Sequence, residues 1–156
     1  MNPADDIRIA PATSVDTPQL VELMGAFYGE SRMPLDGSWA APAFDMLLAQ
    51  PALGRVWIAT VSTRAAGYIV LSMRYAMEHG APVGHIDDLY VRPAYRRQGV
   101  AGQLIEALAG DCRRRGGRSL YVEVSDANLA ALRLYARHGL HPAADGRLLV
   151  SGMIDS

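Results

Sequence analysis

Residues 86–102 read Ile-Asp-Asp-Leu-Tyr-Val-Arg-Pro-Ala-Tyr-Arg-Arg-Gln-Gly-Val-Ala-Gly, and this is the most informative part of the sequence. Its first part is an apolar run typical of a strand, which ends at Pro93, and an arginine-rich turn then leads to a helix that opens at Gly99. The first N–H groups of a helix lack carbonyl partners, and the helix dipole favours negative charge beside them. With Arg96 and Arg97, these N–H groups predict an anion site, and we expect the anion to be a pyrophosphate.

The spacing of the glycines distinguishes between kinds of pyrophosphate-binding turn. A P-loop needs Gly-Lys-Ser/Thr, and the chain contains no lysine. A dinucleotide-binding turn needs three closely spaced glycines directly after its strand, whereas here only Gly99 and Gly102 occur, the first of them eight residues beyond Val91. Neither of these two turns fits the sequence.

The run Arg96-x-x-Gly99-x-Ala101 resembles the cofactor motif Gln/Arg-x-x-Gly-x-Gly/Ala of the GNAT family of N-acetyltransferases. The preceding Leu-Tyr-Val-Arg-Pro extends the resemblance, which covers roughly residues 7–154 and is sharpest over 86–140. It implies acetyl-CoA as cosubstrate. By this resemblance we expect acetyl-CoA contacts from Leu89, Tyr90, Val91, Arg96, Arg97, Gln98, Gly99, Val100, Ala101, Gly102, Asn128, Ala131 and Tyr135.

A second motif begins at Asn128, 29 residues after Gly99. The sequence Asn-Leu-Ala-Ala-Leu-Arg-Leu-Tyr-Ala-Arg-His-Gly-Leu is similar to the family's Asn-x-x-Ala-x-x-Leu-Tyr-x-x-x-Gly-Phe, with Leu140 in place of the aromatic residue. On a helix Asn128 and Tyr135 share a face and can address one ligand. The resemblance implies that Asn128 contacts the pantetheine arm or the nucleotide portion, and that Tyr135 lies near the sulfur. The alternative is an amphipathic helix whose tyrosine only packs.

The pattern of elements predicts an α/β protein with the order β-α-α-β-β-β-α-β-α-β, which is that of the N-acetyltransferase fold. The resemblance implies a mixed central sheet of about six or seven strands flanked by about four helices. The strands are predicted at 7–10, 55–61, 67–77, 85–91, 120–124 and 147–154, and the helices at 17–28, 38–49, 100–112 and 128–138.

Composition favours one domain over residues 1–156, with its core at about 7–154. No apolar run approaches the ~20 residues of a membrane span, and the first residues lack the basic region of a signal peptide. The single cysteine, Cys112, excludes an internal disulfide and falls on an apolar helix face, so we expect a core residue. We therefore expect a cytoplasmic protein, and a homodimer is compatible with these features.

Charge is unevenly distributed along the chain. Residues 1–90 hold five arginines and ten acids, which gives −5, and residues 91–156 hold ten arginines and six acids, which gives +4. A basic half suits a polyanionic cofactor and an acidic half suits a cationic substrate, although solvated faces are the alternative for each. The sequence pI of about 6.4 disfavours nucleic acid as a partner.

The implied chemistry is acyl transfer from a thioester to an amine, which must first lose a proton because an alkylammonium has a pKa near ~10. A carboxylate can take that proton. Asp87 is the first candidate, Asp88 the second and Glu123 the third. Neighbouring strand residues point to opposite faces, so only one of the two aspartates faces the cleft unless a bulge intervenes.

The other catalytic groups follow from the charges that develop during transfer. The main chain near Tyr90 and Val91 is expected to stabilise the carbonyl oxygen, as the corresponding strand does in the family. Tyr135 is the candidate acid that protonates the departing thiolate. No metal is required, because His79, His85, His138 and His141 lack partners at ligand spacing.

The acceptor is expected to be a small primary amine bound against residues 29–50. Tyr28, Glu30, Asp36 and Trp39 are candidates to line its pocket, since aromatic faces and carboxylates suit a cation. Phe44 is expected in the core. The alternatives are a peptide or protein N-acetyltransferase, and a non-catalytic acyl-CoA sensor that would need neither acid nor base.

Overall fold

The structure, a computed structural model, describes residues 6–154, which form two compact units that meet in sequence at residues 123 and 124. The second unit contains one helix, α4 (Leu129–Arg137). The first contains β1 (Ile7–Pro11), α1 (Thr17–Glu30), α2 (Gly37–Ala49), β2 (Gly54–Val61), β3 (Arg64–Ala76), β4 (Ala81–Val91), α3 (Val100–Arg114) and β5 (Leu120–Val122).

The strands form one mixed sheet in the order β1-β2-β3-β4-β5. Strands β1 to β4 pair antiparallel, and β5 pairs parallel to β4. The α/β class and the mixed sheet are confirmed. Over the described residues the sheet has five strands rather than six or seven.

The strand predicted at 147–154 is wrong: no strand lies there. The apolar pattern of Leu148, Leu149 and Val150 favours a strand, but these side chains are exposed, and the segment pairs with no described strand. Pattern alone therefore over-predicted here, since a strand also needs a partner edge. The fifth strand is shorter than predicted as well, ending at Val122.

Helices cover both faces of the sheet. Helices α1 and α2 pack on each other and on one face, where they bury Leu20, Leu23 and Phe44 against sheet residues such as Tyr68. Helix α3 packs on β2, β3 and β4 from the other face. The apolar face predicted for α3 is confirmed, because Val100, Leu104, Ile105, Leu108 and Cys112 are all buried. No helix within residues 6–154 is long and apolar enough to span a bilayer.

A bulge in β4 decides which side chains reach the α1/α2 face. Val70 of β3 pairs with Asp88, but the next residue, Leu71, pairs with Ile86, so Asp87 is an extra residue in β4. Val70 belongs to the core under α1 and α2, whereas Leu71 lies beside Cys112 of α3. Because paired residues share a face, Asp88 joins the α1/α2 face and Ile86 the α3 face.

Candidate active site

A cavity of about 340 Å3 lies between α1, α2, β3 and β4. This is the small end of the roughly 300–1,000 Å3 range of ligand pockets. Helix α2 contributes only apolar side chains to it, and β4 contributes two carboxylates. Its wall is formed by Met24, Tyr28, Ala43, Phe44, Leu47, Val70, Ser72, Asp87 and Asp88.

Asp88 is held in this wall by two tyrosines. Tyr68 Oη donates to Asp88 Oδ2 at 2.8 Å, and Tyr28 Oη donates to both carboxylate oxygens at 3.3 and 3.4 Å. Burial raises the pKa of Asp88, the two O–H donors lower it, the charge of Asp87 raises it, and the net shift is upward. Asp88 is therefore a carboxylate whose hydrogen-bond donors are uncharged and whose pKa is raised. Both properties suit a group that accepts a proton.

The tyrosines keep their protons. Burial, followed by the charge of Asp88, raises the pKa of Tyr28 to about 12 and that of Tyr68 further still. Both groups therefore remain O–H donors to Asp88 across the neutral range, and neither adds charge to the cavity.

Asp87 reaches the same cavity from an exposed position. Its carboxylate accepts a hydrogen bond from Ser72 Oγ, and Ser72 also lines the wall. Regular alternation would have sent Asp87 to the opposite face from Asp88, and the bulge is the physical reason that it does not. The third candidate, Glu123, is absent from this wall, and its Oε1 lies 4.0 Å from His85 Nε2.

Of the proposed substrate residues, Tyr28 lines the cavity and Glu30 does not. The Glu30 carboxylate accepts from Arg96 Nη2 at 2.7 and 2.8 Å and from Tyr90 Oη at 3.2 Å. Trp39 is 43% exposed and lies one turn before Ala43, which does line the wall.

Asp36 has a structural partner. Its Oδ1 accepts from the main-chain N–H of Ser38 at 2.8 Å and caps α2, and the hydrogen bonds from Ser38 lower the pKa of Asp36. The Asp36 side chain does not line the cavity.

The turn before α3 has the form of an anion site. Arg97 and Gly99 both adopt the left-handed region, with φ of 62° and 86°, and Gly99 is the N-cap of α3. The first bond of the helix ladder runs from Gln103 N to Gly99 O at 3.1 Å, so the N–H groups of residues 100–102 have no acceptor within the helix. No carboxylate within residues 6–154 pairs with Arg97. These donors fit a pyrophosphate.

Arg96 and Gln98 hold the turn in place. Arg96 Nε donates to Val91 O at 2.9 Å, in addition to the pair with Glu30, and Gln98 Nε2 donates to Ala94 O at 3.2 Å. The two arginines of the turn thus differ: Arg96 is engaged within the protein, while Arg97 is exposed and pairs with no described carboxylate.

The far edge of β4 is open beyond the bulge. Among the described residues, β5 pairs with β4 only over residues 84–86. Arg92 N donates to Ala66 O on β3, and N–H directions alternate along a strand, so those of Leu89 and Val91 point away from β3. Val91 N–H thus suits an external acceptor, whereas Tyr90 N–H faces the β3 ladder.

In the second unit, Asn128 caps α4 and Tyr135 is the buried residue of that helix. Asn128 Oδ1 accepts from Ala131 N at 3.1 Å, which leaves the side-chain amide N–H groups to donate. Burial raises the pKa of Tyr135 to about 12, so the phenol keeps its proton through the neutral range.

Sequence reasoning missed Tyr68 and Ser72. The run that contains them predicts a strand, but only the register of β3 against β4 shows that they bond Asp88 and Asp87. A tyrosine in an otherwise aliphatic strand was the available signal, because a buried O–H needs a partner. No cluster of three or more potential metal-ligating side chains (His, Cys, Asp or Glu) occurs among residues 6–154.

The sequence model of the acetyltransferase (GNAT) family matches residues 19–140. The chain belongs to the GNAT family. It is 33% identical to an integron cassette protein from the mobile metagenome of Cole Harbour Salt Marsh, with a TM-score of 0.84 over 99% of this chain and 93% of that one. An aminoglycoside acetyltransferase from an uncultured soil metagenomic sample shares the fold, at 20% identity and a TM-score of 0.76 over 97% of this chain and 98% of that one.

A curated relative is the [ribosomal protein bS18]-alanine N-acetyltransferase of Escherichia coli K12. It is 35% identical over 69 residues, which cover 38% of this chain and 47% of that protein. The chain thus spans about half the length of the curated relatives it matches.

Proposed function

We propose that this protein transfers the acetyl group of acetyl-CoA to the primary amine of a small molecule. The observation that carries the proposal is that β4 joins two sites: its bulge sets Asp87 and Asp88 in the cavity, and its end leads into the anion-binding turn. An acceptor in the cavity and a thioester along the open edge would therefore meet at one strand.

Each step then has a group suited to it. Asp88 takes one proton of the ammonium, and the amine nitrogen then bonds the carbonyl carbon. As the carbon–sulfur bond breaks, the nitrogen loses its second proton to solvent, which replaces the proton that the acid gives to the thiolate. Val91 N–H, or Leu89 N–H, stabilises the carbonyl oxygen as its negative charge grows. Tyr135 is proposed to return a proton to the thiolate. Arg97 and the N–H groups of residues 100–102 would hold the pyrophosphate.

Asp88 replaces Asp87 as our first candidate for the base. The pKa of Asp88 is raised, which makes it the stronger proton acceptor once ionised, and its two tyrosine donors fix its orientation. Asp87 is exposed and bonded by Ser72, so we assign it the task of holding the ammonium.

The family match runs from residue 19 to residue 140 and draws on both units, which supports a single acetyltransferase domain. The curated relative, a ribosomal-protein-alanine acetyltransferase, makes a protein acceptor the second candidate. The small cavity is our reason for ranking a small amine first.

The test is calorimetric binding of acetyl-CoA together with release of the CoA thiol in the presence of amines. We expect binding that weakens as salt rises, and thiol release that depends on the amine. Arg97→Ala should weaken binding about tenfold, as expected for loss of a charged hydrogen bond. The matched control Arg64→Ala, at the exposed start of β3, should leave binding unchanged. Absence of binding at millimolar acetyl-CoA would overturn the proposal.

Tyr135→Phe separates an enzyme from an acyl-CoA sensor. The variant keeps the ring and loses the proton, so kcat should fall by about 10²-fold or more, with acetyl-CoA affinity little changed. Unchanged turnover would remove Tyr135 from the acid role, and absence of turnover in the parent protein with intact binding would favour the sensor.

A further inference from the structure

The cavity is charged on one side and apolar on the other. Its two carboxylates are adjacent residues of β4, whereas α2 presents Ala43, Phe44 and Leu47. A ligand that fills this space must therefore place any cationic group beside β4, and an uncharged group against α2.

Among the described residues that line the cavity, Asp87 and Asp88 are the only carboxylates. The acids of α1, α2 and the loop between them are engaged elsewhere in the protein. Glu22 bonds Arg92, Glu30 bonds Arg96, Asp36 bonds Ser38, and Asp45 accepts from Thr17 Oγ1. A second ammonium in the cavity would lie against apolar side chains, where an unpaired charge is costly.

The apolar side continues beyond the cavity. Trp39, Ala43 and Leu47 are spaced by four residues, so they form one stripe along α2. Ala43 and Leu47 line the wall, and Trp39, which is 43% exposed, lies at the N-terminal end of the stripe. A planar apolar group attached to the amine would bury the indole face of Trp39.

Resting on the proposed function, we propose that the acceptor is a monoamine with an apolar, preferably aromatic, substituent, and not a polyamine or an aminoglycoside. Asp87 and Asp88 receive its single ammonium, and the α2 stripe receives the substituent. A peptide with an apolar first residue also presents one ammonium beside an apolar group. We favour a free small molecule as the acceptor because the cavity is small.

The experiment measures kcat/KM for five acceptors at one pH: phenylethylamine, hexylamine, ethylamine, spermidine and kanamycin. A short peptide with an N-terminal phenylalanine and no lysine forms a sixth arm. We expect phenylethylamine to exceed spermidine and kanamycin by at least about tenfold, which is the scale of one uncompensated charge or of one buried ring.

A variant tests the charge argument without disturbing the core. Ala43 is exposed at the mouth of the cavity, so Ala43→Glu adds a carboxylate to the apolar side and should fold normally. It should raise the spermidine-to-phenylethylamine ratio of kcat/KM about fivefold, the scale of an exposed ion pair. Ala49→Glu, on the same helix but outside the cavity wall, is the matched control and should leave the ratio unchanged.

The outcomes separate the two proposals. Preference of the parent protein for spermidine or kanamycin would overturn this inference and leave amine acetylation standing. Preference for the peptide would overturn the small-molecule assignment and support a protein acceptor. Turnover of none of the six would count against the proposed function, and the inference would fall with it. An equal response of Ala43→Glu and Ala49→Glu would show that the apolar side does not set selectivity.

Discussion

Asp111 and Asp88 lie on opposite sides of the sheet, and their carboxylates have different kinds of partner. Asp111, near the end of α3, is 4% exposed and is surrounded by three guanidinium groups. Arg115 Nε lies 2.6 Å from Asp111 Oδ2, while Arg55 and Arg114 approach Oδ1 at 3.1 and 3.5 Å. Asp88, on the other side, accepts hydrogen bonds from the neutral O–H groups of two tyrosines.

The difference in partners indicates that Asp111 has a structural role, whereas Asp88 is suited to accept a proton. Asp111 links the end of α3 to the start of β2, because Arg55 is the second residue of that strand and Arg115 also donates to Gly54 O at 3.3 Å. The attraction of these three guanidinium groups offsets the free-energy cost of burying the Asp111 carboxylate. Within residues 6–154 no such cation pairs with Asp88, the pKa of Asp88 is raised by burial, and its carboxylate faces a cavity. We infer that the protein gives up some stability at Asp88 to hold a proton acceptor there.

Asp88→Asn should give the largest effect on activity. Loss of the base should lower kcat/KM by about 10²–10⁴-fold. Asp87→Asn is the matched control, one residue away on the same bulge, and should raise KM for the amine more than it lowers kcat. Steady-state kinetics with a saturating acetyl donor would measure both. A larger loss of kcat in Asp87→Asn would restore Asp87 as the base.

The same variant should gain stability. A carboxyl whose folded-state pKa is raised stabilises the fold below its unfolded pKa, and that contribution is lost as pH rises through the folded pKa. At pH 7, above the unfolded pKa, the raised pKa of Asp88 therefore lowers the stability of the fold. Asn removes this contribution while still accepting from the tyrosines. The Tm of Asp88→Asn should exceed that of the parent at pH 7, and the difference should shrink towards pH 4. A lower Tm at pH 7 would contradict this.

Asp111→Asn should give the opposite result. It leaves three guanidinium groups facing a neutral amide, and we expect a loss of about 2–3 kcal/mol in the free energy of unfolding, less than for a fully buried pair because the arginines reach solvent. Activity per folded molecule should be unchanged. Urea unfolding measures the loss, and Glu106→Gln on the same helix, an exposed position, should stay within about 0.5 kcal/mol of the parent.

Tyr28→Phe should give the smallest effect. The variant removes one O–H donor from Asp88, a donor that lowers the pKa of that carboxyl. The pKa of Asp88 should therefore rise further, and the acid limb of the pH–rate profile should move to higher pH while the plateau changes little. Movement to lower pH would contradict the assignment of Tyr28 Oη as a donor that lowers the pKa of Asp88.

The sequence predicted correctly those helices and strands whose residue pattern is matched by a neighbouring element to pack on or pair with. The order of elements up to α4 and the apolar face of α3 were readable, because periodicity and the glycines report directly on them. The strand at 147–154 failed, since an apolar run says nothing about a partner edge.

The sequence predicted which residues form the candidate site, but not how their side chains are arranged. The residues Asp87 and Asp88 stood out from the sequence, yet their shared face depends on a bulge that only register reveals. The pairing of Glu30 with Arg96 joins residues 66 positions apart, so no local pattern could separate Arg96 from Arg97. Roles that depend on such distant contacts required the structure.

The most direct test of the account is the pH dependence of kcat/KM for acetyl transfer to phenylethylamine. We expect amine-dependent release of CoA, with an acid limb above the usual aspartate pKa of about 3.9. This limb should survive in Asp87→Asn and disappear in Asp88→Asn. Persistence of the limb in Asp88→Asn, with its midpoint unchanged, would contradict the assignment of Asp88 as the base. Absence of CoA release from the parent protein would contradict the acetyltransferase proposal itself.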